Sequence, residues 1–382
     1  MQKLTLVWTL SMLAVLGGFH AETKAAASEK AKSSETPVIV LQVRDHPEAE
    51  LFTELEIHSD ALHQLWFGGR NRRFVPARTE HLSEYTVLVK YDGSSEAYHF
   101  IPKYGALYQP DRQRFMALTP EAVRSLNRHF RLLRGKHYGQ LEPWDSVKHH
   151  IRKYDIVTVT DLESGISFRA QRRAGSRHAD VQPLTKEDTK RMKEIYGGRW
   201  SWNRRAILVR HKDKVYAASM HGMPHGGDGI PDNGFSGHFC IHFLGSTTHR
   251  SKETDLHHQL MVYKAGGELE RIIGQAAPEQ LADLFLAALQ MQDRAVLQKV
   301  FPGIKLHMTK QTALWDTLRG IRKAKRDGEV RFEPLAAADS FAEIRFHARI
   351  IWEGKREERR LVHGLLQKTA QGSWTIAMVN ID

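Results

Sequence analysis

The sequence predicts an α+β protein with a β-rich centre and a mixed unit on either side. Three observations carry this. Between Tyr154 and Lys264, short strand-like runs alternate with Gly-rich turns. After Pro278, apolar residues fall at helical spacing and then give way to three long strand-like runs. Before Pro143, strand runs surround a hairpin signal and lead into a proline-opened helix. Helices and strands that segregate in this way give α+β architectures, not alternating α/β ones.

The chain of 382 residues has 41% hydrophobic residues and a mean hydropathy of −0.47. These values fit globular domains with cores and exclude a disordered chain. At ~100–200 residues per domain, the length predicts two or three domains. The expected divisions fall at 37–150 (α+β), 151–270 (β-rich) and 278–382 (C-terminal α+β). Residues 1–27 read as a secretory signal: Lys3, an apolar run from Leu4 to Phe19, then Ala25-Ala26-Ala27 before Ser28. The run is short for a membrane span, which needs about 20 residues. No cysteine follows it as a lipid-attachment point. Residues 28–36 are small and polar and read as a linker. The protein is therefore expected on the outer side of the membrane or in the cell wall.

The net charge of +12 falls to +11 when Lys3, Lys24 and Glu22 leave with residues 1–27. Such a charge favours polyanions. For an exported chain the expected polyanion is a cell-wall polymer, and no nucleic-acid partner is expected.

The elements follow in order. Val38 to Val43 is a strand run. Glu84 to Tyr91, the turn Asp92-Gly93, and Glu96 to Ile101 form a hairpin. Pro120 opens a helix to about Leu133, capped by Thr119. In the centre, Asp155 to Thr160 and Ile166 to Ala170 form a hairpin around Glu163-Ser164-Gly165. Thr185 to Asp188 resembles a capping box before a helix that Gly197-Gly198 ends. Arg205 to Arg210 and Lys214 to Ser219 form a second hairpin that delivers His221 to its end. Residues 221–237 are a Gly/Pro/Asp-rich loop, and Phe239 to Leu244 is a short buried-strand pattern. One helix is expected from Pro278 to about Val300 and another from about Thr309 to Arg319. Strands follow over Phe341 to Trp352, Glu357 to Thr369 and Trp374 to Asn380. This last unit weakly resembles the nuclear-transport-factor-2-like cone fold.

The chemistry centres on Cys240, the one cysteine of the chain. A lone thiol in an exported chain makes no intrachain disulfide, so its retention points to reactivity. A thiol acts as a nucleophile in its thiolate form, and a histidine beside it supplies the base. Side chains at i and i+2 of a strand share a face. His238, Cys240 and His242 therefore lie together, with Phe239 and Ile241 turned to the core, and His221 and His225 approach from the loop. The lesser candidates are His178 and Asp180, which could hydrogen-bond a site histidine, with a plain surface loop the favoured reading. Asp255, His257, His258 and Gln259 follow the cysteine strand and could support the site residues, with a purely structural role the favoured reading. Trp200 and Trp202 offer rings for sugar stacking, with core packing expected for at least one.

This segment resembles the YkuD-type L,D-transpeptidase catalytic domain, whose motif is a histidine, a spacer, then Ser/Thr-His-Gly-Cys. His221-Gly222 begins it, residues 223–236 follow, and Gly237-His238-Phe239-Cys240-Ile241-His242 completes it. Gly237 replaces Ser/Thr, Phe239 replaces Gly, and His242 replaces Arg or Asn. The resemblance covers about residues 155–265. It implies a β-sandwich-like fold and attack by Cys240 on a peptidoglycan stem peptide. It also implies His238 as general base and His221 orienting the donor or completing the oxyanion site. Gly222, Gly237, Phe239 and His242 would contact the substrate or oxyanion, and no metal or cofactor would be needed. Phe239 is expected to alter the backbone beside the nucleophile and narrow the pocket. Two other readings stand beside it. One is a metal hydrolase using His221, His225, His238, His242 and Cys240. The other is a non-catalytic wall-binding protein in which Cys240 is a small buried hydrophobe.

Overall fold

The structure, a computed structural model, describes residues 37–68, 73–77, 81, 83–227, 229–249, 252–302, 320–335, 340–369 and 372–382. The expected signal, the linker and the helix at 309–319 lie outside these residues. The described part is mixed α+β and rich in strand, as the residue patterns predict.

The N-terminal strands are β1 (Val38–Val43), β2 (Thr53–Ile57), β3 (Phe74–Pro76), β4 (Tyr85–Tyr91), β5 (Ser94–Ile101), β6 (Ala106–Gln109) and β7 (Arg114–Ala117). They form a 7-stranded sheet in the order β2-β1-β4-β5-β6-β7-β3. The Asp92-Gly93 turn joins β4 to β5, with Tyr91 opposite Ser94. Gly93 has φ 74°, which glycine adopts without strain. Helix α1 (Asp60–Phe67) is capped by Ser59. Helix α2 (Pro120–His137) starts at Thr119 as expected but runs a turn longer than the apolar spacing indicated. Its buried residues Ala122, Leu126, Phe130 and Leu133 join the core of the sheet. A short α3 (Trp144–His150) leads into the central unit.

That unit is a closed barrel. Its strands are β8 (Ile156–Asp161), β9 (Ser167–Ala174), β10 (Ala179–Pro183), β11 (Arg204–His211), β12 (Lys214–His221) and β13 (Phe239–His242), in the order β10-β13-β12-β11-β8-β9. Helix α4 (Lys186–Ile195) is capped by the Thr185 hydroxyl, which accepts from the Asp188 N–H. Alternation sorts the strand residues. Val159, Val181, Ile207, Val209, Ala218, Met220, Phe239 and Ile241 join one cluster with Trp144 of α3 and Met192 of α4. The residues between them face outward.

Helices α5 (Leu256–Ala265), α6 (Leu269–Gly274), α7 (Pro278–Met291) and α8 (Arg294–Val300) follow. Strands β14 (Ile321–Pro334), β15 (Phe341–Trp352), β16 (Glu357–Lys368) and β17 (Trp374–Ile381) close the chain as a 4-stranded sheet. Two expectations are corrected here. The helix expected from Pro278 to Val300 is two helices. Gln292 turns left-handed at φ 58°, and the Asp293 carboxylate restarts the chain by accepting from the Val296 N–H. The last sheet also has a strand, β14, that the charged run from Arg322 to Glu333 concealed.

Helix α5 packs its length against β11 and β12. Its Leu260, Met261 and Ala265 belong to a second cluster that reaches from the N-terminal sheet to the C-terminal one. Lys264, on the same helix, is 3% exposed and pairs with Asp293 at 2.6 Å and Asp45 at 3.0 Å. The two carboxylates hold the ammonium well above its usual pKa against the opposing pull of burial. A cavity of about 290 Å³ adjoins this triad, and its walls carry further pairs, Arg134 with Glu84 and Lys299 with Glu270. The cavity is a junction of neutralised charges, away from the thiol.

Removing one partner of a buried ion pair leaves an uncompensated charge. Lys264→Ala is expected to cost about 3–5 kcal/mol, read as a lowered urea midpoint. An unchanged midpoint would show that the triad does not hold the junction.

Candidate functional site

Strand β13 lies between β10 and β12, and its register builds the site. Cys240 stands opposite Asp180 on β10, and His242 stands opposite Ser219 on β12. Ala179, Val181, Met220, Phe239 and Ile241 point into the barrel core. Asp180, Ser219, His221, Cys240 and His242 therefore share the opposite, outer face. Helix α5 brings His258 to that face, and the loops bring His178, His225, His238 and His249.

The thiol meets one imidazole directly. Cys240 Sγ lies 3.3 Å from His225 Nε2. His225 Nδ1 donates to the Met223 carbonyl at 3.0 Å. That bond sets the neutral tautomer: Nε2 carries the lone pair and can accept a hydrogen bond from the thiol. The His225 backbone is pinned in turn by a two-way bridge to His238, with N–H to O distances of 3.0 and 2.8 Å. His238, expected as the base, also stands beside the sulfur, with its donor nitrogen within 4.8 Å of it. The His225 and His238 rings sit 4.5 Å apart, but the nitrogen on the sulfur belongs to His225.

Other residues settle around this pair. His221, at the end of β12, packs 5.1 Å from His225 and 5.9 Å from His258. His242 is sandwiched between His258 at 3.8 Å and His178 at 4.4 Å. His258 shares a hydrogen bond of 2.9 Å with Ser219 Oγ, and its N–H is held by Asp255, the cap of α5. Asp255 is itself fixed by Arg204 at 2.7 Å. Trp202, 50% exposed, lies over both His221 and His225. Trp200 packs on Phe235 of the barrel core instead.

Four further sequence readings change. His178 and Asp180 are not surface loop: Asp180 is on β10 and both are buried. Gln182 and Pro183 next to Asp180 obscured the strand pattern. His258 is part of the cluster, and Asp255 positions it. Phe239 does not narrow the pocket, because its fully buried ring packs on Phe168 and Phe235 inside the barrel. Gly222 and Gly237 are required by packing. A Cβ on Gly222 would lie 2.3 Å from the Tyr196 ring. Gly237 has φ 86°, and a Cβ there would lie 2.3 Å from the His225 carbonyl oxygen. The Ser or Thr of the related motif has no room at this position.

Burial dominates the electrostatics. It pushes the Cys240 thiol well above its usual pKa, and the Asp180 charge adds to this, so the sulfur rests as S–H. Burial and the neighbouring His225 lower His221 to about 2. Burial and His178 lower His242 to about 3. Burial drives His258 far below its ordinary value. His238 is lowered by burial, which outweighs the opposing charge of Asp180. Burial opposes ionisation of Asp180, but the surrounding His178, His238 and His249 outweigh it and hold the carboxyl below its ordinary range.

Comparison with known proteins finds no matching family model and no matching curated protein.

Two predictions follow from this geometry. His221 and His258 are neutral when folded and take up protons near pH 6.5 when unfolded. Stability is therefore full above about pH 6.5 and falls as the pH drops below it, by about 1.4 kcal/mol per pH unit for each histidine that stays neutral in the fold. Urea midpoints at pH 7.5, 6 and 5 should decline steadily, and a flat profile would contradict neutral burial. Gly237→Ser should strain the backbone by about 1–3 kcal/mol and displace the His225 segment. The expected readouts are a lowered melting temperature and altered alkylation of Cys240. A variant with unchanged stability and reactivity would refute the assigned constraint.

Proposed function

We propose that the protein is an exported, cysteine-dependent acyltransferase of the L,D-transpeptidase type that acts on peptidoglycan stem peptides. The observation that carries this reading is the contact of Cys240 Sγ with His225 Nε2, in a tautomer set by Met223. A nucleophile, a base and a group that orients the base are the parts that acyl transfer through sulfur needs. The closed barrel takes the role of the related catalytic domain in this reading.

The thiol rests protonated, so attack is coupled to proton transfer. Sγ adds to the carbonyl of the third stem residue, a diamino acid, as His225 Nε2 takes the proton. The tetrahedral intermediate collapses to a thioester. The C–N bond to the terminal D-Ala breaks, and that amine leaves with the proton from His225. An amine of a neighbouring stem then attacks the thioester, gives its proton back through His225, and frees the thiol as a 3–3 cross-link forms. Water in place of the amine gives L,D-carboxypeptidase chemistry. Trp202, half-exposed over His221 and His225, is the ring that incoming substrate meets first. The net charge of +12 suits an anionic wall polymer.

The test is incubation with purified disaccharide-tetrapeptide, intact-mass detection of an adduct, and analysis of products. The expected result is a thioester on Cys240 with release of D-Ala, both absent in Cys240→Ala. Dimeric product marks transpeptidation, and tripeptide marks trimming. Retained binding without adduct or turnover would overturn the reading in favour of a non-catalytic wall-binding protein.

A further inference from the structure

We propose that His178, Asp180 and His249 form a binding site for a divalent transition-metal ion of the zinc class, beside the thiol. The inference does not rest on the acyl-transfer reading, because its donors are other residues, although Cys240 Sγ lies within 4.8 Å of the His178 and Asp180 donor atoms.

Asp180 Oδ1 is surrounded by three imidazole nitrogens. His178 Nε2 lies at 3.3 Å, His249 Nε2 at 3.7 Å and His238 Nε2 at 3.8 Å. His178 Nδ1 donates to the Thr247 carbonyl at 2.8 Å, which leaves its Nε2 with a bare lone pair. A carboxylate oxygen and an imidazole lone pair therefore face each other at 3.3 Å. His178 is 2% exposed and Asp180 is 7% exposed. Among the described residues, neither His178 Nε2 nor Asp180 Oδ1 has a hydrogen-bond partner apart from the approach of 3.3 Å that they make to each other. Two buried acceptors aimed at one another are costly unless a positive charge lies between them.

The spacing suits a metal ion. The donor atoms of His178, Asp180 and His249 lie within 4.8 Å of one another. Ligands about 2.0–2.2 Å from a tetrahedral ion stand roughly 3.4 Å apart. The two shorter approaches to Asp180 are near that value, and His249, 55% exposed in its side chain, is free to close the remainder. The hydrogen bond from His178 Nδ1 to a backbone carbonyl is the support that a ligating imidazole characteristically has. Two nitrogens and one carboxylate select zinc, cobalt, nickel or copper over magnesium or calcium. Three protein donors also leave a coordination position open.

The alternative occupant is a proton on His178, and the experiment separates the two. Chelator-stripped full-length protein is titrated with Zn2+ by calorimetry and with Co2+ by absorption spectroscopy. The expected result is one equivalent bound, with a cobalt spectrum that lacks a thiolate charge-transfer band. Cys240→Ala should bind as the parent does. His249→Ala and Asp180→Asn should each weaken binding by about 100-fold or more. Because His249 is exposed, its variant remains informative if Asp180→Asn fails to fold. Absence of stoichiometric binding would overturn the proposal. So would binding that survives in His249→Ala, or a thiolate band that disappears in Cys240→Ala. The readout is metal binding and not turnover, so its failure is distinct from failure of the acyl-transfer reading.

Discussion

The pairing of β13 with β10 on one side and β12 on the other is the constraint from which the site follows. A one-residue slip in that register would exchange the two faces of β13. Phe239 and Ile241 would leave the barrel core, and Cys240 and His242 would enter it. The apolar residues therefore hold the polar ones in place: burial of Phe239 and Ile241, at about 1.5–3 kcal/mol each, opposes that slip. The short loops beside β13 complete the arrangement. Gly237 lets the chain turn at φ 86°, and the bridge between His225 and His238 fastens the incoming segment.

The face that results is unusual for its density of imidazoles, and it is costly to keep them out of water. Several features offset that cost. His258 is tied to Ser219 and to the Asp255 cap, His225 to Met223, and His178 to Thr247. Stacking of His178, His242 and His258 fills the space between β10, β13 and α5. Helix α5 serves both sides: it covers the histidine face and carries Lys264 to the carboxylates of Asp45 and Asp293. The site is therefore mechanically continuous with the junction that joins the flanking sheets.

Much of this was legible in the residues, for identifiable reasons. Strands with period-two alternation, such as β8, and helices with a capping hydroxyl, such as α2 and α4, are signalled locally. The shared face of Cys240 and His242 follows from strand geometry alone. What was illegible depends on contacts distant in sequence. Nothing near residue 180 indicates that β10 will lie opposite Cys240, and its Gln and Pro read as loop. His258 belongs to the cluster only because α5 docks on β12. The choice of His225 over His238 turns on a backbone bridge and a carbonyl acceptor, neither visible in residue types. Gly237 could be read only as a departure from a motif, whereas its φ and its approach to His225 give the reason.

The central claim is that His225, and not His238, is the proton acceptor for Cys240. It is tested most directly by the rate at which a small electrophile alkylates Cys240 near neutral pH. The comparison is between the parent protein, His225→Gln and His238→Gln, each followed by intact mass. Slower alkylation is expected in His225→Gln and a rate close to the parent in His238→Gln. The opposite order, with His238→Gln impaired and His225→Gln unaffected, would contradict it.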